Sequence, residues 1–361
     1  MLNQLKLEAI TLETRKLQRI GNTLYVSIPK SWTNGMQLKQ GDSVTLIPKS
    51  DNSLCIYLDH QKEKSREITI NLNDETSMKS LRREIVAAYV DGFDIIRLIP
   101  EKVIVKEQQN TIRTITNSLF GLEIIEISGE GITIQCLLTR TIEIEKTIQR
   151  IYNVISSMFQ ETIIALREQK TDQISGISQR KQDIRRLSLV TNRLLRSFLL
   201  FPNPENQERL SPIDCVDYLQ ILHITSEIAC NVDKISNSIK ELNEKDLPKI
   251  VLEPLYQVNL AIHRSFAESV QSLLTKDMRL ANKTLDNTPA SAINLEEMWN
   301  FFNEPDKTKI SSQVLPSAYL LIDCLKRINN HTAEIAEIAI DRTEAASAND
   351  KNKHTKKCAR G

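Results

Sequence analysis

The pattern of apolar and polar residues changes along the chain and divides it into three parts. Over the first 60 residues, apolar and polar side chains alternate with a period of two, which is typical of half-buried β-strands. From about Thr141 onward, apolar residues recur with a period of 3.6, which is typical of helices that bury one face. We therefore predict an α+β multidomain protein, with a β module over residues 1–60, a small α/β connector over residues 61–140 and an all-α body over residues 141–345.

The β module contains two clearly alternating segments, at residues 24–28 and 54–58. The stretches "IGNT" and "KQGD" supply the glycine, asparagine and aspartate that tight turns require, and Asp51-Asn52-Ser53 predicts a further turn. Four short strands in so few residues form a thin sheet that buries too little apolar surface to be stable alone. Pairing with a second copy of the chain would cover that surface, so we expect a dimer.

The connector alternates strand-like and helix-like segments. "REITINL" and "IIRLI" predict strands, residues 77–92 and 106–120 predict helices, and residues 122–138 predict a hairpin with its turn at residues 128–131. The "GEG" of that turn lacks the following helix that a phosphate-binding glycine loop requires, so it is interpreted as a turn only.

The helical body shows six apolar stripes of helical period, of which the fifth is weak. They cover Ile144–Ile163, Ile177–Phe198, Ile221–Ile239, Leu255–Leu273, Ile293–Phe302 and Leu321–Ala339. Proline-containing stretches at residues 200–212 and 247–254 interrupt them. The pattern predicts two three-helix units, each burying one face on its neighbours. Residues 346–361 have no apolar period, and we predict a disordered basic tail there.

Composition narrows the classes of function. The net charge of the 361-residue chain is only +1, so any nucleic-acid function must depend on a local basic patch. The six cysteines show no CxxC pair, which favours free thiols over a disulfide or zinc framework. The N-terminus lacks a signal-peptide core, and no run of about 18 apolar residues occurs, so we expect a cytoplasmic protein without membrane insertion. No P-loop, nucleophile elbow or HExxH motif is present, and we predict no enzyme activity and no cofactor.

Positive charge gathers early in the β module, at Arg15, Lys16, Arg19 and Lys30, whereas most of its acidic residues come later. A clustered basic patch releases counterions from a phosphate backbone, which is the source of sequence-independent DNA affinity. A solvated sheet face is the alternative interpretation of the same charges.

The order of motifs in this module resembles the swapped-hairpin AbrB/SpoVT-type DNA-binding domain. The shared elements are the basic strand, the turn at Gly21, the Ile28-Pro29-Lys30 step, a short helical turn and the Leu38…Gly41-Asp42 step before the last strand pair. Pro29 suits a strand end because a missing backbone donor is harmless there. The resemblance implies an intertwined homodimer that faces DNA. It assigns the DNA contacts to Arg15, Lys16, Arg19, Asn22 and Lys30.

The last helical stripe resembles a signature of PhoU-type phosphate-signalling proteins, which consist of two tandem three-helix units. "KRINNHTAEIAEIAI", residues 326–340, is similar to the family pattern "ERIGDHAxNIAE", and "ITSEIACNVDKI", residues 224–235, is a looser counterpart in the first unit. This repeat agrees with the helix count obtained from the stripes. The resemblance covers roughly residues 141–343 and implies a role in phosphate homeostasis.

Metal binding is not expected, although the PhoU family carries metal clusters. Those clusters need two acidic residues at i and i+4, which one helical face presents together. The corresponding positions hold Lys181 and Arg185, and Asp183 points off that face. In the second unit, Asp277, Glu296 and Glu297 offer no such pair. For His331, packing and hydrogen bonding within the helical body is the favoured interpretation over ligand binding.

Two functions stay open at this point. The first is a DNA-binding transcriptional regulator of phosphate homeostasis, with DNA and a second copy of the chain as partners. In the alternative, the β module only dimerises, and the helical body docks on a phosphate transporter or its sensor kinase.

Overall fold

A computed structural model describes most of the chain. The described residues are 13–48, 53–58, 65–73, 76–102, 104–138, 143–200, 210–243, 249–302 and 314–358. They belong to two compact units, Met1–Lys64 and Ser65–Gly361. The connector and the helical body therefore share one unit, and the turn predicted at Asp51-Asn52 lies outside the described residues.

Over residues 13–48 and 53–58, the first unit has two antiparallel hairpins and one short helix. Strands β1 (Gln18–Ile20) and β2 (Thr23–Tyr25) form one hairpin, and β3 (Val44–Pro48) and β4 (Leu54–Leu58) form the other. Helix α1 (Lys30–Gly35) lies between them in sequence. The second strand ends three residues earlier than the alternation predicted, because Pro29 acts as the N-cap residue of α1 and has no N–H to give a strand ladder.

The two turns of this unit have the predicted chemistry. Gly21 has a φ of 62° and Gly41 a φ of 97°, in the region that glycine adopts without a steric penalty. The Asp42 carboxylate accepts a hydrogen bond of 2.7 Å from the backbone N–H of Lys39, which closes the second turn as expected.

The connector is a four-stranded sheet with two helices. Its elements are β5 (Glu67–Leu72), α2 (Met78–Val90), β6 (Ile95–Pro100), α3 (Lys106–Asn117), β7 (Leu122–Ser128) and β8 (Gly131–Cys136). The strand order is β5-β6-β8-β7, and only the β5–β6 pair is parallel. Gly131 is required at the β8 start, because a Cβ there would overlap the carbonyl oxygen of Leu98 and φ is 148°. Each predicted element of the connector is present.

In the part that the structure describes, the helical body contains six long helices, as the six stripes predict. They are α4 (Ile144–Glu168), α5 (Ile177–Leu200), α6 (Pro212–Asn243), α7 (Lys249–Thr275), α8 (Met278–Phe302) and α9 (Leu315–Cys358). Their apolar stripes meet in one continuous core that includes Met158, Phe159 and Phe266, all fully buried.

Two helix boundaries within the body differ from the sequence prediction. Pro254 lies inside α7 rather than in a break, and α8 begins at Met278 rather than near Ile293, with Pro289 in its interior. A proline in a helix costs one backbone hydrogen bond. Packing compensates for that loss, because Leu255 of α7 and Leu295 of α8 are fully buried.

The C-terminal segment also differs from the prediction. The backbone of α9 continues as a helix to Cys358, whereas the sequence predicted a disordered tail over residues 346–361. Alanine and lysine, which are common in this segment, have high intrinsic helix propensity, so a helix needs no apolar stripe to extend here.

The connector is attached to the helical body through α5. The buried Arg193 of α5 donates hydrogen bonds to the carbonyl oxygens of Tyr89, at 2.6 Å, and Phe93, at 2.8 Å. It also forms an ion pair of 2.9 Å with Asp94. Val190 of α5 completes the apolar core of the connector. These contacts fix α2 against α5.

Candidate nucleic-acid interface

The first hairpin presents two of the five predicted DNA-contacting residues. Its register pairs Gln18 with Tyr25, Arg19 with Leu24 and Ile20 with Thr23. Arg19 therefore lies at the centre of β1, and Asn22 lies in the turn that follows. All residues of both strands are exposed, so neither side chain has a structural role in a core.

The other three predicted residues lie beyond the open end of this hairpin. Arg15 and Lys16 precede β1, and Lys30 is the first residue of α1. The basic strand that the resemblance implied is therefore short: it contains Arg19 but neither Arg15 nor Lys16, and Lys30 belongs to a helix. Arg15 also forms an ion pair with Glu13, which partly neutralises its charge.

The described residues of this unit nevertheless carry a positive charge. They include five bases and two acids, which gives a net charge of 5 − 2 = +3. The bases are Arg15, Lys16, Arg19, Lys30 and Lys39, and the acids are Glu13 and Asp42. A patch of this kind is compatible with phosphate contacts.

The apolar side chains of this unit have no core of their own. None of the residues described between 13 and 57 is buried. Leu17, Leu24 and Ile20 are each more than 60% exposed, and Leu46 and Leu54 are more than 50% exposed. Exposed large apolar residues in this number, in a unit without a buried core, favour an interaction with another surface.

The helical body buries corresponding residues of the two sequence segments that were predicted to be a repeat. Ile228 of α6 and Ile335 of α9, which correspond in the two units, are both fully buried. His331 lies within hydrogen-bonding distance of Glu334 on the same helix, with 3.2 Å between Nδ1 and the carboxylate oxygen. This contact agrees with a structural role for the histidine.

Lys181, one of the two positions at which the resemblance to PhoU would place an acidic pair, forms an ion pair within the helical body instead. Lys181 of α5 pairs with Asp233 of α6, and the hydroxyl of Ser178 donates a hydrogen bond of 2.6 Å to the same carboxylate. Asp233 is only 6% exposed, so the ammonium group of Lys181 supplies the positive charge that this buried carboxylate needs. Asp233 was not predicted as a functional or structural residue, although its position directly beside Val232 of the third apolar stripe was a usable signal.

Asp277, one of the acidic residues of the second three-helix unit, has a local structural role. Asp277 accepts hydrogen bonds from the backbone N–H groups of Arg279 and Leu280 at the start of α8, at 3.0 and 3.1 Å. Within the described ranges, no group of three or more His, Cys, Asp or Glu side chains is close enough to hold a metal ion.

A buried polar cluster at one end of the body was not predicted. The guanidinium group of Arg342 lies 4.1 Å from the ring centroid of Tyr218 and donates hydrogen bonds to the Tyr218 hydroxyl, at 2.9 Å, and to Asp214, at 3.0 Å. Tyr218 in turn donates to Glu145 at 2.8 Å. Burial is the main cause that raises the pKa of Tyr218. The cluster connects α4, α6 and α9 and has a structural role.

None of the described helices is both long enough and apolar enough to cross a membrane. Five of the cysteines are free thiols, and two of these, Cys215 and Cys324, are buried.

Comparison with known proteins relates both parts of the chain to families. Residues 17–67 match the family model of the MazE bacterial antitoxin, described as antidote-toxin recognition. No curated protein shows significant sequence similarity to the chain. The crystal structure of PhoU from Pseudomonas aeruginosa is similar over 55% of this chain and 93% of that chain, with 12% identity and a TM-score of 0.50. That of the phosphate transport system regulatory protein PhoU from Streptococcus pneumoniae covers 55% of this chain and 91% of that chain, with 13% identity and a TM-score of 0.46.

At such low identity, the similarity to PhoU concerns the fold and does not extend to activity. It confirms the architecture of tandem three-helix units that the apolar stripes and the repeated signature predicted. The chain therefore joins a MazE/AbrB-like antitoxin domain at residues 17–67 to a C-terminal helical body with the PhoU fold.

Proposed function

We propose that this protein is a DNA-binding transcriptional regulator of phosphate homeostasis. In this proposal the N-terminal unit dimerises and holds DNA, and the PhoU-like body senses a state of the cell or binds a partner. The link to phosphate is supported by the PhoU fold of the helical body and by the signature at residues 326–340. The free thiols are compatible with work in the reducing cytoplasm.

One observation carries the DNA-binding part of the proposal. The described residues of the first unit combine a net charge of +3 with apolar side chains that a single chain leaves exposed. Association of two copies would cover the apolar side chains and double the number of bases. A dimeric basic surface of this kind neutralises several phosphates at once, and the released counterions drive binding.

The five candidate residues have different parts in this proposal. Arg19 and Asn22 lie at the hairpin and its turn, where they can reach the sugar-phosphate backbone or a groove. Arg15, Lys16 and Lys30 would contribute phosphate contacts, which fix position and orientation without reading sequence. Few of these groups are suited to base edges, so we expect sequence preference to come mainly from DNA shape.

The test is the salt dependence of DNA binding by the full-length protein. Replacing Arg15, Arg19 and Lys30 by alanine should weaken binding to all sequences and flatten the plot of log K against log salt concentration. Each lost phosphate contact lowers the magnitude of the slope by about 0.9. Fluorescence anisotropy with a labelled duplex at several salt concentrations measures both effects.

A matched control changes two arginines and one lysine in the second unit. Arg113, Lys234 and Arg264 are exposed, and their joint replacement by alanine removes the same charge. This control should keep the slope of the unchanged protein. If the Arg15/Arg19/Lys30 variant also keeps its affinity and slope, the basic residues do not form the DNA surface. The link to phosphate is tested separately, by comparing chromatin occupancy in phosphate-rich and phosphate-poor cells.

A second function is favoured by an apolar groove on the helical body. The groove lies between α7 and α8, has a volume of about 500 Å³ and is lined by Val258, Met298, Phe301 and Phe302 among others. Such a groove suits docking on another protein, such as a phosphate transporter or its sensor kinase. In that case the N-terminal unit dimerises without binding DNA, and the anisotropy experiment finds no salt-dependent binding.

A further inference from the structure

A large cleft lies within the second unit, where the connector meets the helical body. Helices α2 and α3 form one wall, and α5 and α6 form the other. Its volume is about 930 Å³, and a smaller hollow between α2 and α5 adjoins it and shares Arg82, Val86 and Arg185. A concave site of this size is typical of binding sites for small molecules.

The cleft and the adjoining hollow are rich in arginine. Arg82 and Arg83 extend from α2, and Arg185 and Arg186 extend from α5. Within the described part of the chain, Arg82, Arg83 and Arg185 have no ion pair or hydrogen-bond partner. The guanidinium carbon of Arg186 lies 4.5 Å from the centroid of the Phe120 ring, and the Nε atom of Arg186 is buried without a hydrogen-bond partner among the described residues. The guanidinium groups of Arg82, Arg83 and Arg185 are exposed, so they are accessible to an anion from solvent.

Other cations around the cleft are already neutralised. Lys181, which lines the cleft, pairs with Asp233, and Arg196, which lines the hollow, pairs with Asp91 at 2.5 Å. Lys181 and Arg196 therefore have structural partners, whereas Arg82, Arg83 and Arg185 line the cleft or the hollow without one among the described residues. Arginine forks bind phosphate oxygens with two parallel hydrogen bonds, which makes them the preferred residues for phosphate recognition.

The remaining lining residues indicate where a ligand would lie. Two acidic residues, Asp183 and Glu227, line the cleft on the α5 and α6 side and would repel an anion there. The phosphates are therefore expected near α2, close to Arg82 and Arg185. Val86, Leu119 and Leu189 provide an apolar surface beside this position, on which a ring could lie.

We infer that this cleft, together with the adjoining hollow, binds a small molecule with more than one phosphate group, held by Arg82, Arg83 and Arg185. The inference deepens the proposed function, because it gives the PhoU-like body a ligand to sense, and it rests on that function only for its biological meaning. A bound ligand would bridge the connector and the helical body, since the arginines come from both.

Titration calorimetry on the full-length protein tests the inference without DNA. The probes are inorganic tripolyphosphate, adenosine triphosphate and inorganic orthophosphate. We expect at least one of the two polyphosphate compounds to bind more tightly than orthophosphate, and the double variant Arg82→Gln/Arg185→Gln to bind that compound at least about tenfold more weakly. Equal binding of both compounds would indicate recognition of the phosphate chain alone, and preference for adenosine triphosphate would indicate that the apolar surface holds the base.

The control variant Arg113→Gln/Arg264→Gln removes the same charge from exposed positions outside the cleft, and should bind within about twofold of the unchanged protein. The single variant Arg83→Gln provides a second, milder test, and unfolding temperatures without ligand verify that each variant is folded. The inference is overturned if neither polyphosphate binds, or if the cleft and control variants weaken binding equally. It is also overturned if the cleft variant loses affinity only for duplex DNA, because the arginines would then belong to a DNA surface.

The two proposals can fail independently. The Arg15/Arg19/Lys30 variant should bind the polyphosphate as the unchanged protein does, whether or not it has lost DNA.

Discussion

His263 on α7 is half-buried, and its ring packs against α4. One of its ring nitrogens lies 2.9 Å from the hydroxyl of Ser156, and its ring meets the edge of Phe159 with centroids 5.4 Å apart. Burial lowers the pKa of His263, and the hydrogen bond with Ser156 opposes this effect without cancelling it. The folded state therefore favours the neutral ring.

This preference predicts a dependence of stability on pH. Below a pH of about 6.5, the unfolded chain binds a proton at His263 more readily than the folded chain, so the free energy of unfolding falls with falling pH. Replacing His263 by Gln, which keeps a hydrogen-bonding group for Ser156, should reduce that fall. Urea unfolding between about pH 7.5 and pH 5 measures the difference.

His223 on α6 is the control for this experiment because it is exposed. His223→Gln should leave both the stability and its change with pH within about 0.5 kcal/mol of the unchanged protein. If His263→Gln shows the same decline as the unchanged protein, other groups cause the acid sensitivity.

For single residues, the sequence shows which side chains are charged or aromatic, but it does not show which side chains they contact in the folded protein. Lys181 stands out in sequence as a base where the PhoU family carries an acid, but its partner Asp233 lies 52 positions away on another helix. Arg342 and Tyr218 are separated by 124 positions, and nothing in the local pattern of either helix indicates that their side chains stack. Such pairs depend on the packing angle between helices, which a single sequence does not specify.

At the scale of helices, α6 and α9 bury equivalent faces of the two PhoU-like units. Ile228 and Ile335 are fully buried and belong to the same continuous core. Replacing either by Ala removes the transfer free energy of three carbon atoms and leaves a cavity, so each variant should lose roughly 2–5 kcal/mol of unfolding free energy. Chemical denaturation of the full-length protein measures the loss.

The exposed Ile293 of α8 provides the matched control. Its side chain is 57% exposed, so Ile293→Ala should change stability by less than about 0.5 kcal/mol. Losses below about 1 kcal/mol at both Ile228 and Ile335 would mean that these faces do not pack as described.

The prediction of helices was reliable where the apolar period was long, and less so near prolines. The stripes of α4, α5 and α6 correspond to helices at the expected places. The sequence pattern places Pro254 in a break and begins the fifth helix after Pro289, but both prolines lie inside helices whose buried faces stabilise them. At these two positions, tertiary packing outweighs the low helix propensity of proline, and packing is not visible in a single sequence.

At the scale of the whole molecule, the two units differ in how they are stabilised. The second unit has two apolar cores joined by α5, which places Val190 and Arg193 in contact with the connector. The sequence predicted both parts of this unit but not the contact between them, because Arg193 and Asp94 lie 99 positions apart. The first unit buries none of its described side chains between residues 13 and 57. Its alternation of apolar and polar residues was visible in the sequence, but the contacts that would cover its apolar side chains were not.

The lack of buried apolar side chains in the first unit predicts that this unit makes the protein a dimer. Burying a leucine or isoleucine side chain that is otherwise exposed stabilises a protein by about 1.5–3 kcal/mol, and Leu17, Ile20, Leu24, Leu46 and Leu54 are all more than 50% exposed in one chain. Light scattering should therefore give twice the mass of one chain for the full-length protein, and the mass of one chain after deletion of residues 1–64. Leu24→Asp should also shift the full-length protein toward the monomer, whereas Ile293→Asp, at a similarly exposed position of the second unit, should not. If the deletion variant keeps twice its chain mass, the helical body holds the dimer, and the apolar surface of the first unit is covered by a different partner.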